Sequence, residues 1–186
     1  MLPLSDLQAP CTLCVIDVQE KLMTPMDPLR VKAMAHNIAI LCQAFSVMGC
    51  PILCSEQYPK GLGPTLAIIR DNLPGDHLYL EKHFFSLVRQ PGFHELSLKL
   101  PTSRVVLCGA EAHVCVAQTA VDMVQLGWRP IVVSDAVISR HTHAYTTAMT
   151  LLLHQGVTVA TTEMVLFRML ESSKSPHFKQ IAALLK

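Results

Sequence analysis

The chain has 186 residues, of which 51% are hydrophobic and only 16% charged, against roughly 25% charged in an average soluble domain. That length fits one domain covering 1–186, and the shortage of charge points to apolar surface buried between subunits of a homo-oligomer, a dimer or tetramer. Fifteen Lys and Arg against 14 Asp and Glu leave a formal charge of +1 with no basic cluster, which disfavours nucleic acid as a partner.

No apolar run approaches the ~20 residues of a membrane span, so no membrane partner is expected. Met1 to Pro10 lacks the basic run and apolar core of a secretory signal, and a cytoplasmic location is the default.

Strands and helices alternate along the chain. Thr12 to Asp17 is a short apolar run rich in strand formers. Pro28 to Met48 carries apolar residues at Val31, Met34, Ala35, Ile38, Leu41, Cys42, Phe45 and Met48, the stripe of an amphipathic helix, closed by Gly49 and Pro51. Further strands are expected at Pro51 to Ser55, His77 to Glu81, Arg104 to Gly109, Pro130 to Ser134 and Val157 to Thr161. Helices are expected near Thr65 to Asp71, Phe93 to Leu100, Val114 to Leu126 and His141 to His154, with two more pieces in Glu163 to Lys186 broken around Pro176. Near-continuous apolar strands separated by helices imply an α/β fold whose parallel sheet is covered on both faces.

Seven cysteines are an odd number and form no disulfide framework. Cys11 and Cys14 have the Cys-x-x-Cys spacing, but a period of two sends them to opposite faces and no second pair completes a zinc site. His141 and His143 form the one His-x-His pair, with no third ligand identifiable. No metal or cofactor is expected.

In open parallel sheets, ligands bind beyond the carboxyl ends of the strands. Those ends carry Asp17; Ser55, Glu56, Gln57 and Tyr58; Glu81, Lys82 and His83; Gly109 to Cys115; and Asp135, for which a structural or capping role is favoured. Cys115 falls one or two residues inside the helix after the fourth strand. There the helix N-terminus favours thiolate over thiol, and its N–H groups can hold an oxyanion. Lys82 can supply the cation beside the sulfur, and Asp17 can shuttle its proton if burial and neighbours suit its pKa to that role. His113, next to this turn, either lines the pocket or packs beneath the turn.

Three segments together resemble the signatures of the isochorismatase-like cysteine hydrolases. They are Val15-Ile16-Asp17-Val18-Gln19, the Glu81-Lys82 pair followed by Phe84 and Ser86, and Gly109-Ala110-Glu111-Ala112-His113-Val114-Cys115. Their order and separation also match. The resemblance implies a Rossmann-like three-layer α/β/α sandwich with a six-stranded parallel sheet. It implies a catalytic Asp17, Lys82 and Cys115, a non-proline cis peptide joining Ala110 and Glu111, and an oxyanion hole from the backbone N–H groups of Glu111 and Cys115. The implied reaction is hydrolysis of a small amide or related C–N bond through a thioester; isochorismate-cleaving members lack the cysteine. In nicotinamidases the stretch after the second strand binds a metal through Asp and His. Here it reads Ser55-Glu56-Gln57-Tyr58-Pro59-Lys60-Gly61-Leu62-Gly63-Pro64, without histidine, and resembles a subgroup that includes isochorismatase domain-containing proteins. Gln19, Gln57, Tyr58 and His113 are the residues expected to line the pocket for a small-molecule substrate. The competing reading is a catalytically idle binding or scaffold protein of the same fold.

Overall fold

A computed structural model describes residues 7, 10–101 and 104–186; most of Met1 to Pro10, assessed above as a leader, lies outside the described residues. In chain order the elements are β1 (Thr12–Ile16), α1 (Glu20–Met23), α2 (Pro28–Val47), β2 (Ile52–Gln57), α3 (Pro59–Leu62), α4 (Ala67–Arg70), β3 (Leu78–Lys82), a 3₁₀ turn (Leu87–Arg89), α5 (Phe93–Ser97) and β4 (Arg104–Ala110). A π-helical turn (Ala112–Val116) then leads into α6 (Ala117–Gln125), β5 (Arg129–Ile138), α7 (Thr142–His154), β6 (Thr158–Ala160), α8 (Thr162–Leu170) and α9 (Phe178–Leu184).

The six strands form one parallel sheet in the order β3-β2-β1-β4-β5-β6. This is the doubly wound, Rossmann-like arrangement. Alternation along each strand feeds two cores. Leu13 and Val15 of β1 pack with Met34, Ile38, Leu41 and Phe45 of α2 and with Val165 and Leu166 of α8. Cys14 and Ile16 face the other way, onto Val116, Ala120 and Met123 of the π turn and α6, and Ala148 and Leu152 of α7. Cys11 and Cys14 accordingly sit in different cores.

Helix α2 starts where the sequence marks it. Pro28 occupies its first turn and Asp27 Oδ1 accepts the N–H groups of Leu29 at 2.8 Å and Arg30 at 3.1 Å, satisfying two otherwise orphaned donors. It ends at Gly49, whose φ of 64° is the left-handed conformation that glycine adopts without a Cβ penalty. Ala39, Ile40 and Ala44 are buried in addition to the expected stripe, because α8 and α9 also contact this helix.

Two boundaries differ from the sequence reading in ways that matter for function. β3 runs through Lys82, so that residue is the last of a strand rather than the first beyond it. β5 continues to Ile138 and its pairing with β4 slips between Leu107 and Gly109. Asp135 therefore lies inside β5 at this irregularity, where its Oδ1 accepts the Thr162 N–H at 2.8 Å and the Thr162 hydroxyl at 2.9 Å, tying β5 to the start of α8.

Candidate active site

The strand order reverses between β1 and β4: from β1 the chain winds outward through β2 and β3, and from β4 through β5 and β6. Connections leave these two central strands toward opposite faces, opening a crevice at their carboxyl ends. Asp17 follows β1 there and the turn Glu111 to Cys115 follows β4. The two strands meet closely at Ile16 and Gly109. A Cβ on Gly109 would lie 2.0 Å from the Ile16 carbonyl oxygen, and Gly109 has a φ of 113°; only glycine permits both.

Asp17 itself is left-handed, with φ 51°, a conformation that Asp tolerates better than most residues. Its N–H donates to the Ser55 carbonyl at 3.1 Å, and its side chain turns inward. Oδ1 accepts the Ser55 hydroxyl at 2.8 Å, and Oδ2 lies 2.6 Å from Lys82 Nζ, both side chains being fully buried. This last contact is an ion pair rather than a well-directed hydrogen bond, so Oδ2 keeps acceptor capacity.

Oxygens also surround the Lys82 ammonium on its other sides: Gln57 Oε1 at 2.7 Å, Phe85 O at 3.0 Å and Phe84 O at 3.2 Å. Those two carbonyls belong to the bend after β3, and the Gln57 amide is held in turn by donating to His83 O at 2.9 Å. A buried ammonium is tolerated only when its protons find acceptors, and here they do.

Cys115 completes the cluster. It lies in the π turn, formed as the Val116 N–H reaches back to the Glu111 carbonyl at 3.2 Å. Its thiol lies near enough to the Asp17 carboxyl and the Lys82 ammonium for both to act on its ionisation. The peptide between Ala110 and Glu111 is cis. Beside it, Glu111 is clamped by Arg140, with Nη2 to Oε2 at 2.7 Å and both Nε and the backbone N–H to Oε1 at 3.0 Å. Burial alone would raise the Glu111 carboxyl, but the Arg140 hydrogen bonds and charge outweigh it and hold it below the ordinary range.

The helix N-terminus led to an expectation of a readily ionised Cys115. The structure corrects this. Burial first, and the Asp17 charge second, push the thiol up to about 12 against the pull of Lys82. Burial likewise raises Asp17, opposed by Lys82, Ser55 and Cys115. Both shifts run toward the protonated form, so burial makes the thiol and the carboxyl each a stronger base than in water.

Among the residues expected to line the pocket, Gln19 is fully buried and its amide is engaged by backbone. It donates to Gln57 O at 3.0 Å and Gly63 O at 2.7 Å, and accepts from the Gln57 N–H at 2.8 Å, so it braces the end of β2. Gln57 supports Lys82. Tyr58 is half-exposed, left-handed at φ 38°, and packs its ring near His83 at 5.8 Å. His113 is exposed, pairs through Nδ1 with Ser139 Oγ at 2.9 Å, and lines a cleft of about 270 Å³ with Arg89, Ala117, Val121, Asp122 and Leu151. The His141 and His143 rings stack at 5.4 Å, and among the described residues no group of three potential ligands gathers to hold a metal. The sequence reading missed the braces: Ser55 on Asp17, Gln57 on Lys82 and Arg140 on Glu111. Ser55 and Gln57 did fall at a strand end, but nothing local marked Arg140, 29 residues from its partner.

Known proteins resemble this chain in sequence and in fold. The isochorismatase domain matches residues 11–164. Isochorismatase domain-containing protein 2 from Danio rerio is 35% identical over 173 residues, covering 93% of this chain and 85% of that protein. Isochorismatase domain-containing protein 1 from the same organism is 37% identical over 147 residues, or 78% of this chain, which spans about half of that longer relative, 51%. A structure described as MAR1 ribonuclease from Caenorhabditis elegans superposes with a TM-score of 0.88 at 30% identity, covering 96% of this chain and 90% of that one. The YcaC gene product from Escherichia coli, described as an octameric hydrolase of unknown specificity, shares the fold with a TM-score of 0.86 at 18% identity, over 97% and 88% of the two chains. On the domain match and the identity across most of its length, the chain belongs to the isochorismatase domain family.

Proposed function

We propose that the protein is a cysteine-dependent hydrolase of a small amide or related C–N bond, with Cys115 as nucleophile and Asp17 and Lys82 as its partners. The observation that supports this reading is a buried carboxyl–ammonium pair, 2.6 Å apart, whose two members both act on the Cys115 thiol at the switch point of the sheet. Asp17 takes the thiol proton as Cys115 Sγ attacks the substrate carbonyl carbon, while Lys82 balances the negative charge that moves between carboxylate and sulfur. The backbone N–H groups of Glu111 and Cys115 receive the oxyanion. Collapse of the tetrahedral intermediate expels the amine with the proton from Asp17 and leaves a thioester. Water, activated by Asp17, then releases the carboxylic acid and restores the thiol.

The test is a screen of small amides and ureas with intact-mass detection of an acyl adduct. Turnover and adduct are expected for the natural sequence, and both vanish in Cys115→Ala with the fold retained; full activity in that variant overturns the proposal. One feature favours the idle-binder alternative: burial raises the Cys115 thiol to about 12, so its proton is firmly held. No adduct across the screen, together with stoichiometric small-molecule binding, would favour it.

The description of the Caenorhabditis elegans neighbour as a ribonuclease favours a further reading, phosphodiester cleavage. Incubation with labelled RNA over a salt series separates it from amide hydrolysis. The low charge content, with Leu126 exposed just after α6 and Leu151 and Leu153 exposed on α7, supports a homo-oligomer, which light scattering of the purified protein tests.

A further inference from the structure

The opposite end of the sheet brings two sulfurs, Cys11 and Cys50, toward each other. Cys11 precedes β1 and Cys50 precedes β2. The parallel register places Leu13 beside Ile52, and carrying it back two residues sets Cys11 beside Cys50. Neighbouring strands lie about 4.8 Å apart, within the roughly 4.4–6.8 Å Cα separation that a disulfide spans. Both side chains lie on the α2 face, Cys11 within that core and Cys50 packed against it.

Cys11 Sγ lies 3.9 Å from Met169 Sδ and Cys50 Sγ 3.9 Å from the Met48 carbonyl, and each of the two thiols acts on the ionisation of the other. The Cys11 thiol first of all draws Cys50 down to about 7 against the effect of burial, while Cys11 itself is raised by its contact with Cys50. Burial pushes Cys14, Cys42, Cys54, Cys108 and Cys115 upward instead. Access matches ionisation. Cys50 is half-buried and lines a cleft of about 220 Å³ with Ser46, Gly49, Asp76 and His77, whereas Cys11 is fully buried behind it.

We infer that Cys11 and Cys50 form a peroxide-sensitive dithiol, separate from the Cys115 cleft, that closes to an intramolecular disulfide. The Cys50 thiolate attacks one oxygen of a hydroperoxide and breaks the O–O bond. The departing alkoxide or hydroxide takes up a proton, and Cys50 becomes a sulfenic acid. The Cys11 sulfur then attacks the Cys50 sulfur and forms the S–S bond. The sulfenic hydroxyl leaves with the Cys11 proton as water. Two thiols are oxidised by two electrons while ROOH is reduced to ROH and water. Division of roles follows position: Cys50 meets the oxidant and Cys11 resolves it.

The experiment exposes the full chain to stoichiometric hydrogen peroxide, removes the excess with catalase, and alkylates in denaturant before intact-mass and non-reduced peptide analysis. Two of the seven cysteines are expected to escape alkylation, with the Cys11 and Cys50 peptides linked and a dithiol reductant reversing the link. Cys50→Ser should leave Cys11 alkylatable, and Cys115→Ser should form the link as the natural sequence does. All seven thiols alkylated, a link through Cys115, or Cys50 oxidised beyond sulfenic acid with Cys11 free would each overturn the inference. The decisive readout uses the unsubstituted protein, so it does not depend on any variant folding.

Discussion

Lys82 Nζ sits 2.6 Å from Asp17 Oδ2 although neither side chain reaches solvent. A pair taken this far out of water loses its hydration, and the mutual attraction offsets that loss only with further hydrogen bonds. Ser55, Gln57 and the Phe84 and Phe85 carbonyls provide them. Well-packed apolar side chains of similar volume often replace such a pair without loss of stability, so the pair is not needed to hold the core together.

Removing one partner is therefore expected to cost more than removing both. Lys82→Met should destabilise the protein by about 3–5 kcal/mol, because it strands a buried carboxylate. Asp17→Asn combined with Lys82→Met should recover much of that loss. Urea midpoints for the single and double variants give the coupling directly. A Lys82→Met loss under about 1 kcal/mol would mean the pair behaves as a solvated surface bridge.

Thiol chemistry offers a second check. With Cys115 raised to about 12, its alkylation by iodoacetamide should be slow at pH 8, where only about one thiolate in ten thousand is present, and should climb steadily toward high pH. Cys50, near 7, should label first. Asp17→Asn removes a repelling charge and should increase Cys115 labelling while turnover is lost. Peptide-resolved mass spectrometry reads both rates. Unchanged or slower labelling in Asp17→Asn would contradict the charge coupling.

The Glu111–Arg140 clamp carries a pH signature. The Glu111 carboxyl is lowered in the folded protein, so its stabilising contribution is present above the ordinary value of about 4.3 and is lost as pH falls through the depressed one. Asp17, raised on folding, has the opposite sign: its contribution exists below its unfolded value, about 3.9, and disappears as pH rises through the folded one. Glu111→Gln should cost about 1–2 kcal/mol at neutral pH, discounted because Arg140 is half-exposed. The gap between variant and natural protein should shrink as pH drops below 4. Denaturant melts across pH 2–8 measure it; a constant gap would remove the ionic explanation.

Gly109→Ala should be among the most damaging single changes outside the charged cluster. The new Cβ would meet the Ile16 carbonyl at 2.0 Å, and neither backbone can move without breaking the β1–β4 pairing that sets Asp17 opposite the Cys115 turn. A loss of about 3 kcal/mol or more is expected. Gly75→Ala, with nothing within 4 Å, is the control and should leave Tm within about 2 °C. Comparable melting of the two variants would refute the close approach.

Sequence alone determined the alternation of strands and helices, because periods of two and of three to four are local properties of the chain. Since the sheet is parallel, it also placed Asp17, the Lys82 region and the Cys115 turn at the strand ends that face one crevice. The α2 stripe and its Asp27 and Gly49 ends were legible for the same reason: each depends on residues within a few positions. Tertiary structure decided what those groups are once together. It put Lys82 inside β3 and Asp135 inside β5, because a strand's last residues depend on the neighbour that pairs with them. It set Gln19, Gln57 and Arg140 as braces through partners 25 to 44 residues away in the chain. It also reversed the expected ionisation of Cys115: the helix terminus is visible in sequence, but the depth of burial and the charge of Asp17, which outweigh it, exist only when the layers close over the cleft.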